Sequence, residues 1–531
     1  MKRRLTKWDG KCIKGLKVMW AEMKKMKWHE IEKECASKKV VIYGLGLGIR
    51  QFLEKYGNSI TVETIIDNDV TKQGKRVGDL LPEAFQTKCG NIYIHSAEVL
   101  SKYEPKETII LVASSKRYAE IMQDLEKEKF SQIYVISLLE DFVQENKEAE
   151  NVLQKQHEFA QKCLCTPIVP NKILFSSFAN YADHEKYISE ALIQLRPDFY
   201  IVWLVNDLDV ELPAGVHKVL RSNWKKVLYE AETSKIWVTD TAVPDFFLKR
   251  SEQVYIQTKH WASITLKKFY LDAEATFQSE PEKMALWKRE SEIIDYIIVG
   301  SEFDQESCKR GFGVDGKFIM AGSPRTDGMF REQQNRKSVY AYYGLEDEVR
   351  VLIYAPTYRF SKEAGKGIHQ SREIEFGYRQ IKAALEKRFG GDWMIALRLH
   401  PSVCDAVKDM ELPDFVFDVS SYEDSEELVS AFDITVSDYS SIMFEPAVIK
   451  KPVFLYATDL NDYIVNEYEL LIDYKELPFD IAENTKQLCE NIISFDRCKY
   501  EKRLDDFLLK YGIREDGHAS ERVAEFISKL I

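Results

Sequence analysis

Short apolar runs rich in Val, Ile, Leu and aromatic residues recur along most of this chain, and charged stretches of helical spacing separate them. Runs of this kind read as strands buried on both faces, so their alternation with helices predicts parallel, doubly wound α/β sheets. Three blocks emerge. In residues 38–145 strands are predicted at 39–43, 62–66, 108–113 and 133–136, with a helix over 49–56. Residues 146–170 are a charged helical linker ending in Pro167 and Pro170. Residues 171–335 carry strands at 172–177, 199–204, 235–239, 253–256 and 296–300. Residues 336–500 repeat the arrangement with strands at 350–356, 393–400, 415–417, 434–436 and 453–456. Amphipathic helices in residues 501–531 close the chain and are expected to pack back across the cleft between the second and third blocks, with Ser520 as an N-cap.

Composition changes this picture little. The chain has 531 residues, 45% hydrophobic and 30% charged, as expected of a soluble multidomain protein. A net charge of -12 gives no support to a nucleic-acid partner. Residues 1–37 are an exception, a basic amphipathic leader in which residues 1–28 hold ten basic side chains against Asp9 and Glu22, together with Trp8, Trp20 and Trp28. Such a leader suits an anionic membrane surface, and it suits equally a solvated helix packed on the next domain. No apolar run is long enough to span a bilayer. The nine cysteines are scattered, which points to reduced thiols, a cytoplasmic setting and no structural zinc.

Candidate chemistry lies where predicted strands end. The strand at 434–436 stops at Ser437 and Asp438, and Ser440 and Ser441 then open a helix, which suits a phosphate on free N–H groups. Glu445 follows one turn later, in reach of ribose hydroxyls or buried for structural reasons. Arg398 and His400 end the strand at 393–400 and can donate to phosphate oxygens, although a His-Pro pair also caps a sheet edge. Arg359 ends the strand at 350–356. His260 ends the strand at 253–256, where an unperturbed imidazole makes a general base near neutral pH. Lys259, Lys267 and Lys268 around it offer a positive field or a solvated face. Arg325 and Asp327, in the turn at 322–327, read as an ion pair fixing that turn or, for the arginine, as a substrate contact. In the first block Gly44, Gly46 and Gly48 with Asp67 approximate a nucleotide-binding fingerprint, spaced GxGxG rather than GxGxxG. No clustered acidic metal site is evident, so no cofactor is required and any Mg²⁺ is expected to arrive with substrate.

Five motifs occur in order: Gln257-x-x-His260 with Leu266-Lys267-Lys268, Gly-Ser-Pro-Arg-x-Asp at 322–327, Ala-Pro-Thr-Tyr-Arg at 355–359, Arg-x-His-Pro at 398–401 and Ser-Asp-Tyr-Ser-Ser at 437–441. Phe175 to Phe178 with Tyr181 and Asp183, and Lys451 to Tyr456 with Asp459 and Tyr463, add weaker matches. Over residues 172–480 the set resembles the CDP-glycerol glycerophosphotransferases of teichoic-acid synthesis. That resemblance implies a GT-B pair of Rossmann-like domains, here with an additional N-terminal Rossmann-like domain, the block at 171–335 on the acceptor side and that at 336–500 on the donor side. It implies transfer of a polyol phosphate from CDP-glycerol to a hydroxyl of a lipid-linked or polymeric cell-wall or capsule acceptor, releasing CMP, at the inner face of the membrane. His260 then matches the catalytic base, His400 the histidine near the donor phosphates, Asp438 the catalytic aspartate, and Ser440 and Ser441 the phosphate-binding hydroxyls. The family usually has Trp-His-Gly where this chain has Lys259-His260-Trp261. A CDP-ribitol donor, a nucleotide-sugar glycosyltransferase and a non-catalytic nucleotide-binding scaffold are the alternatives.

Overall fold

A computed structural model describes residues 26–45, 48–69, 72–77, 89–113, 118–273, 281–357, 376–399, 412–460, 463–464 and 469–531. These residues fall into two compact units that divide in sequence between residues 154 and 155. Most of the leader, Gly46, Arg359 and His400 lie outside the described residues.

In the first unit, strands β1 (Lys39–Tyr43), β2 (Val62–Ile66), β3 (Ile94–His95), β4 (Thr108–Val112) and β5 (Ile133–Val135) form a parallel sheet in the order β3-β2-β1-β4-β5. Successive residues feed opposite faces, as the two-residue period of a strand requires. Val40, Ile42, Ile109 and Leu111 pack with helices α1 (Trp28–Cys35) and α2 (Gly48–Tyr56). Val41, Tyr43, Ile110 and Val112 face Met122 and Leu125 of α3 (Tyr118–Lys127). Gly44 takes a left-handed φ of 98° as the chain leaves β1. Asp67 is already engaged: its carboxylate accepts from the N–H groups of Leu45 (2.9 Å) and Asp69 (2.9 Å) and from Lys72 Nζ (3.2 Å). It therefore ties the glycine turn to β2, where a dinucleotide-binding protein would offer it to a ribose. Helix α4 (Glu140–Cys163) carries the chain into the second unit.

The second unit holds two further parallel sheets. β6 (Val169–Ser176), β7 (Tyr200–Val205), β8 (His217–Leu220), β9 (Ser234–Thr239), β10 (Val254–Gln257), β11 (Tyr296–Val299) and β12 (Phe318–Met320) run in the order β12-β11-β10-β9-β6-β7-β8. Helices α5 (Asp183–Leu195), α6 (Trp224–Thr233), α7 (Pro281–Ile293) and α8 (Glu302–Phe312) belong to this half. A short 3-10 segment (Pro324–Arg331) and α9 (Glu332–Tyr343) lead to β13 (Arg350–Ala355). With β14 (Trp393–Leu397), β15 (Val416–Asp418), β16 (Ile434–Ser437), β17 (Val453–Tyr456) and β18 (Asp480–Ala482) it forms a sheet in the order β15-β14-β13-β16-β17-β18. Helices α10 (Tyr378–Phe389), α11 (Ser425–Ala431), α12 (Phe444–Val448), α13 (Thr485–Ile493) and α14 (Arg497–Lys510) flank it.

The last helix, α15 (Ala519–Ser528), returns to the first half of this unit. Its Val523, Ala524 and Ile527 are fully buried in the core that also contains Ile188 and Leu192 of α5. Ser520 is not the N-cap. His518 occupies that position, and the free N–H groups of Ala519 (3.0 Å) and Ser520 (2.6 Å) donate to the carboxylate of Asp327. Asp327 is thus a cap supplied from the interdomain hinge and makes no pair with Arg325. Among the described residues no helix is long and apolar enough to cross a membrane.

Candidate active site

Ligands of doubly wound sheets sit beyond the carboxyl ends of the strands, where the strand order reverses. In the two halves of the second unit those points lie between β6 and β9 and between β13 and β16. An aspartate clasps each one. Asp438, just past β16, accepts at one oxygen from the backbone N–H of Thr357 (2.8 Å), the Thr357 hydroxyl (2.5 Å) and the N–H of Tyr439 (2.6 Å). Asp240, just past β9, accepts from the Phe178 N–H (2.9 Å) and the Ser177 hydroxyl (3.3 Å). Both aspartates are buried. Burial pushes the Asp240 carboxyl up to about 7, with the charge of Asp183 adding to the effect. Asp438 therefore sets the shape of the crevice beyond β13 and β16, and Asp240 does the same beyond β6 and β9 without having been signalled by the sequence.

Beyond Asp438 the helix is shorter than its apolar spacing predicts. Ser440 caps one 3-10 turn, accepting from the Ile442 N–H at 3.4 Å, and the five residues of α12 follow. Ser440 and Ser441 remain partly accessible. Arg398 is half-buried, and its guanidinium donates to the carbonyls of Tyr422 (2.9 Å) and Val419 (3.3 Å). Glu445 is buried and paired with Arg325 at 3.1 Å, in keeping with the structural role that is the alternative to a ribose contact.

Arg325 is the centre of the site. It leaves the hinge and donates to Glu426 Oε1 of α11 (2.8 Å), Asp183 Oδ2 of α5 (3.0 Å), the carbonyl of His260 (2.8 Å) and Ser425 Oγ (3.3 Å). Its planar fork is engaged by protein carboxylates from both halves rather than by Asp327. One guanidinium cannot neutralise Asp183, Glu426 and Glu445 together. Burial therefore holds Glu426 and Glu445 above the ordinary carboxylate range despite the opposing pull of Arg325. The two carboxyls also act on each other: the charge of Glu445 raises Glu426, while a hydrogen bond from Glu426 works to lower Glu445. Beside this knot Lys186 of α5 pairs with Asp424 and Glu427 at 2.6 Å each, and Asn180 donates to Glu423 at 2.9 Å.

His260 lies at this junction with its side chain exposed, its ring edge-on to Trp261 at 5.3 Å. The protein around it disfavours the imidazolium, and Arg325, Lys259 and Lys267 add to that against the pull of Asp183, so its pKa is pushed down to about 4. Solvent on the open side of the ring works against the desolvation. Lys259 is not free to contact a ligand. It is buried in a left-handed conformation (φ 59°), and its Nζ reaches the carbonyls of Trp261 (3.0 Å) and Ala262 (2.8 Å) and Asp304 Oδ2 (3.2 Å). The departure from Trp-His-Gly is thus structural, a lysine stapling the His260 loop from below. Lys268 pairs with Glu469 at 2.8 Å, and Lys267 bridges to Leu470, so this part of the motif also joins the two halves. Among the described residues no cluster of His, Cys, Asp or Glu is arranged to hold a metal ion.

The structure brings His260, Arg325, Glu445 and Asp183 together, and it adds His184, Glu185, Asp240 and Glu426, which the sequence reading passed over. These residues leave no spacing signature, because each is partnered by residues some 60 to 100 positions away in sequence.

Residues 131–529 match the family described as CDP-Glycerol:Poly(glycerophosphate) glycerophosphotransferase. The chain is 28% identical over 377 residues to the teichoic acid poly(glycerol phosphate) polymerase of Staphylococcus epidermidis, covering 68% of this chain and 51% of that one. It thus spans about half the length of that relative. To the teichoic acid glycerol-phosphate transferase of Staphylococcus aureus it is 29% identical, covering 68% of this chain and 94% of that one. The solved structure of the wall teichoic acid polymerase TagF superposes with a TM-score of 0.61 at 25% identity, over 73% of this chain and 97% of that one. The second unit has the GT-B fold, two Rossmann-like halves facing a common cleft. With three quarters of its length inside one family model, the chain belongs to the CDP-glycerol:poly(glycerophosphate) glycerophosphotransferase family.

Proposed function

We propose that this protein transfers glycerol phosphate from CDP-glycerol to a hydroxyl of a lipid-linked or polymeric acceptor and releases CMP. The observation that carries this reading is the family match, which runs through both halves of the second unit and spans all five motifs between residues 257 and 441. In this scheme His260, uncharged at neutral pH, accepts the proton of the attacking hydroxyl. The new bond forms at the glycerol-bearing phosphorus, the diphosphate bridge breaks, and the electron pair leaves on CMP. Ser440 and Ser441, each with a hydroxyl proton to donate, hold donor phosphate oxygens at the turn beyond β16, and Arg359, Arg398 and His400 contribute positive charge. Asp438 shapes the crevice through Thr357 without touching the reacting atoms. The basic leader would keep the enzyme at an anionic membrane surface where such acceptors reside.

Purified protein given CDP-glycerol, CDP-ribitol or UDP-sugars with lipid-linked and polymeric acceptors should release CMP with CDP-glycerol. CMP at the level of a no-enzyme control for both CDP donors would overturn the proposal, and UDP release would move it to a glycosyltransferase. For the leader, co-sedimentation with phosphatidylglycerol vesicles should be lost on deleting residues 1–28. Equal sedimentation of both forms would refute membrane attachment through this segment.

A further inference from the structure

Three successive residues at the start of α5 are each tied to the loop that carries His260. Glu185 accepts a hydrogen bond from the hydroxyl of Thr258. Asp183 Oδ2 and the carbonyl of His260 share one guanidinium nitrogen of Arg325, at 3.0 and 2.8 Å. The Nε2–H of His184 donates to the carbonyl of Trp261 at 3.0 Å. Residues 183–185 are therefore laced onto 258–261 almost rung by rung.

The backbone on both sides is strained to make this fit. Asp183 has φ 62° and Lys259 φ 59°, left-handed conformations that non-glycine residues keep only where surrounding structure enforces them. Nor does Asp183 serve as an ordinary helix cap. Ala182 holds that position with no side-chain cap, while Asp183 accepts from the His184 N–H at 2.7 Å. His184 is wholly buried, and its Nδ1 accepts from the Arg325 N–H at 3.4 Å. Those two bonds assign its proton to Nε2 and leave it neutral, and burial holds its pKa well below the usual histidine value. The charges that act most strongly on the His260 ring are Asp183 on α5, joined to the His260 carbonyl through one nitrogen of Arg325, then Arg325 itself, and Lys259 and Lys267 on its own loop, while His184 nearby is neutral. Asp183 is the only anion among them.

We propose that Asp183 and His184 are positioning residues of the transfer reaction. His184 fixes the loop through the Trp261 carbonyl, and Asp183 supplies the negative charge that keeps the exposed imidazole of His260 oriented and able to take a proton. The inference rests on the transferase reading for its catalytic consequence but not for its electrostatic one.

The test joins two readouts on the full chain. Histidine ring carbons are labelled, the His260 signal is assigned by its absence in His260→Gln, and its titration is followed by NMR in parallel with CMP release. Asp183→Asn removes the charge in a residue that tolerates left-handed backbone, and its single side-chain oxygen keeps an acceptor for one of the two donors, Arg325 or the His184 N–H. Its His260 midpoint should fall by about 0.5–1 pH unit, and the acid limb of kcat/KM should move down with it. His184→Leu should lower kcat by roughly 10–100-fold with the KM for CDP-glycerol little changed, and His184→Gln, which keeps a donor and an acceptor, should recover much of the loss. An unmoved His260 midpoint in Asp183→Asn would overturn the role of Asp183. Equal loss in His184→Gln and His184→Leu would overturn that of His184. If the wild type releases no CMP, the transferase reading fails, while the titration still decides whether Asp183 controls the ring.

Discussion

Replacing Arg325 by Met tests the electrostatic reading of the cleft most directly. The substitution removes a buried guanidinium held by Asp183 at 3.0 Å, Glu426 at 2.8 Å and Glu445 at 3.1 Å. Breaking a buried pair from one side strands the remaining charges and costs about 3–5 kcal/mol. For a unit of this size that is of the order of a 4–7 °C fall in the unfolding midpoint. The pH dependence distinguishes stranded charge from lost packing. Glu426 and Glu445 already lie above the ordinary carboxylate range because of burial, and without Arg325 they rise further. A carboxyl whose folded pKa is raised contributes stability at low pH and loses it as pH climbs through the folded value. The deficit of Arg325→Met, read by differential scanning fluorimetry, should therefore be larger near pH 8 than near pH 5.5. Adding Glu426→Gln should recover part of it at the higher pH. A deficit equal at both pH values, or below about 1 kcal/mol, would show that Arg325 is not balancing buried anions.

Other outcomes follow from the same geometry. His260→Ala should lower CMP release by roughly 10²–10⁴-fold while calorimetry finds CDP-glycerol bound nearly as well; unchanged turnover would remove His260 from the chemistry. Glu232, Asp240 and Glu290 are each held at about 7, chiefly by burial, so wild-type protein should melt at higher temperature near pH 6 than near pH 8, the opposite order refuting their burial as carboxylic acids. Asp438→Ala removes the acceptor of the Thr357 and Tyr439 N–H groups and should cost about 1–3 kcal/mol in urea unfolding while weakening donor binding. Asp327→Ala should expose residues near 519 to limited proteolysis before the rest of the chain; simultaneous digestion throughout would refute its role as a cap.

Central strands were legible in the sequence because burial on both faces demands continuous apolar runs, as in β6, β13 and β16. The strands that escaped notice, β3, β8, β12 and β18, all lie at sheet edges and are two to four residues long. An edge strand needs only one neighbour and a half-buried face, so it carries little apolar signal. The family was readable from motif order, and His260 from its place after β10. The roles of Arg325, Asp327 and Glu445 were not, since each is decided by partners over ninety residues away or in the opposite half. Ser520 illustrates the same limit: local spacing nominates it as a cap, whereas the capping acceptor comes from a distant aspartate, Asp327.

The return of α15 to the first half of the second unit has a consequence for biosynthesis. Val523, Ala524 and Ile527 seal a sheet whose strands leave the ribosome some 200 to 350 residues earlier. The half translated first is therefore completed last, and until the terminal helix emerges one side of it exposes aliphatic surface that a nascent-chain chaperone would be needed to shield.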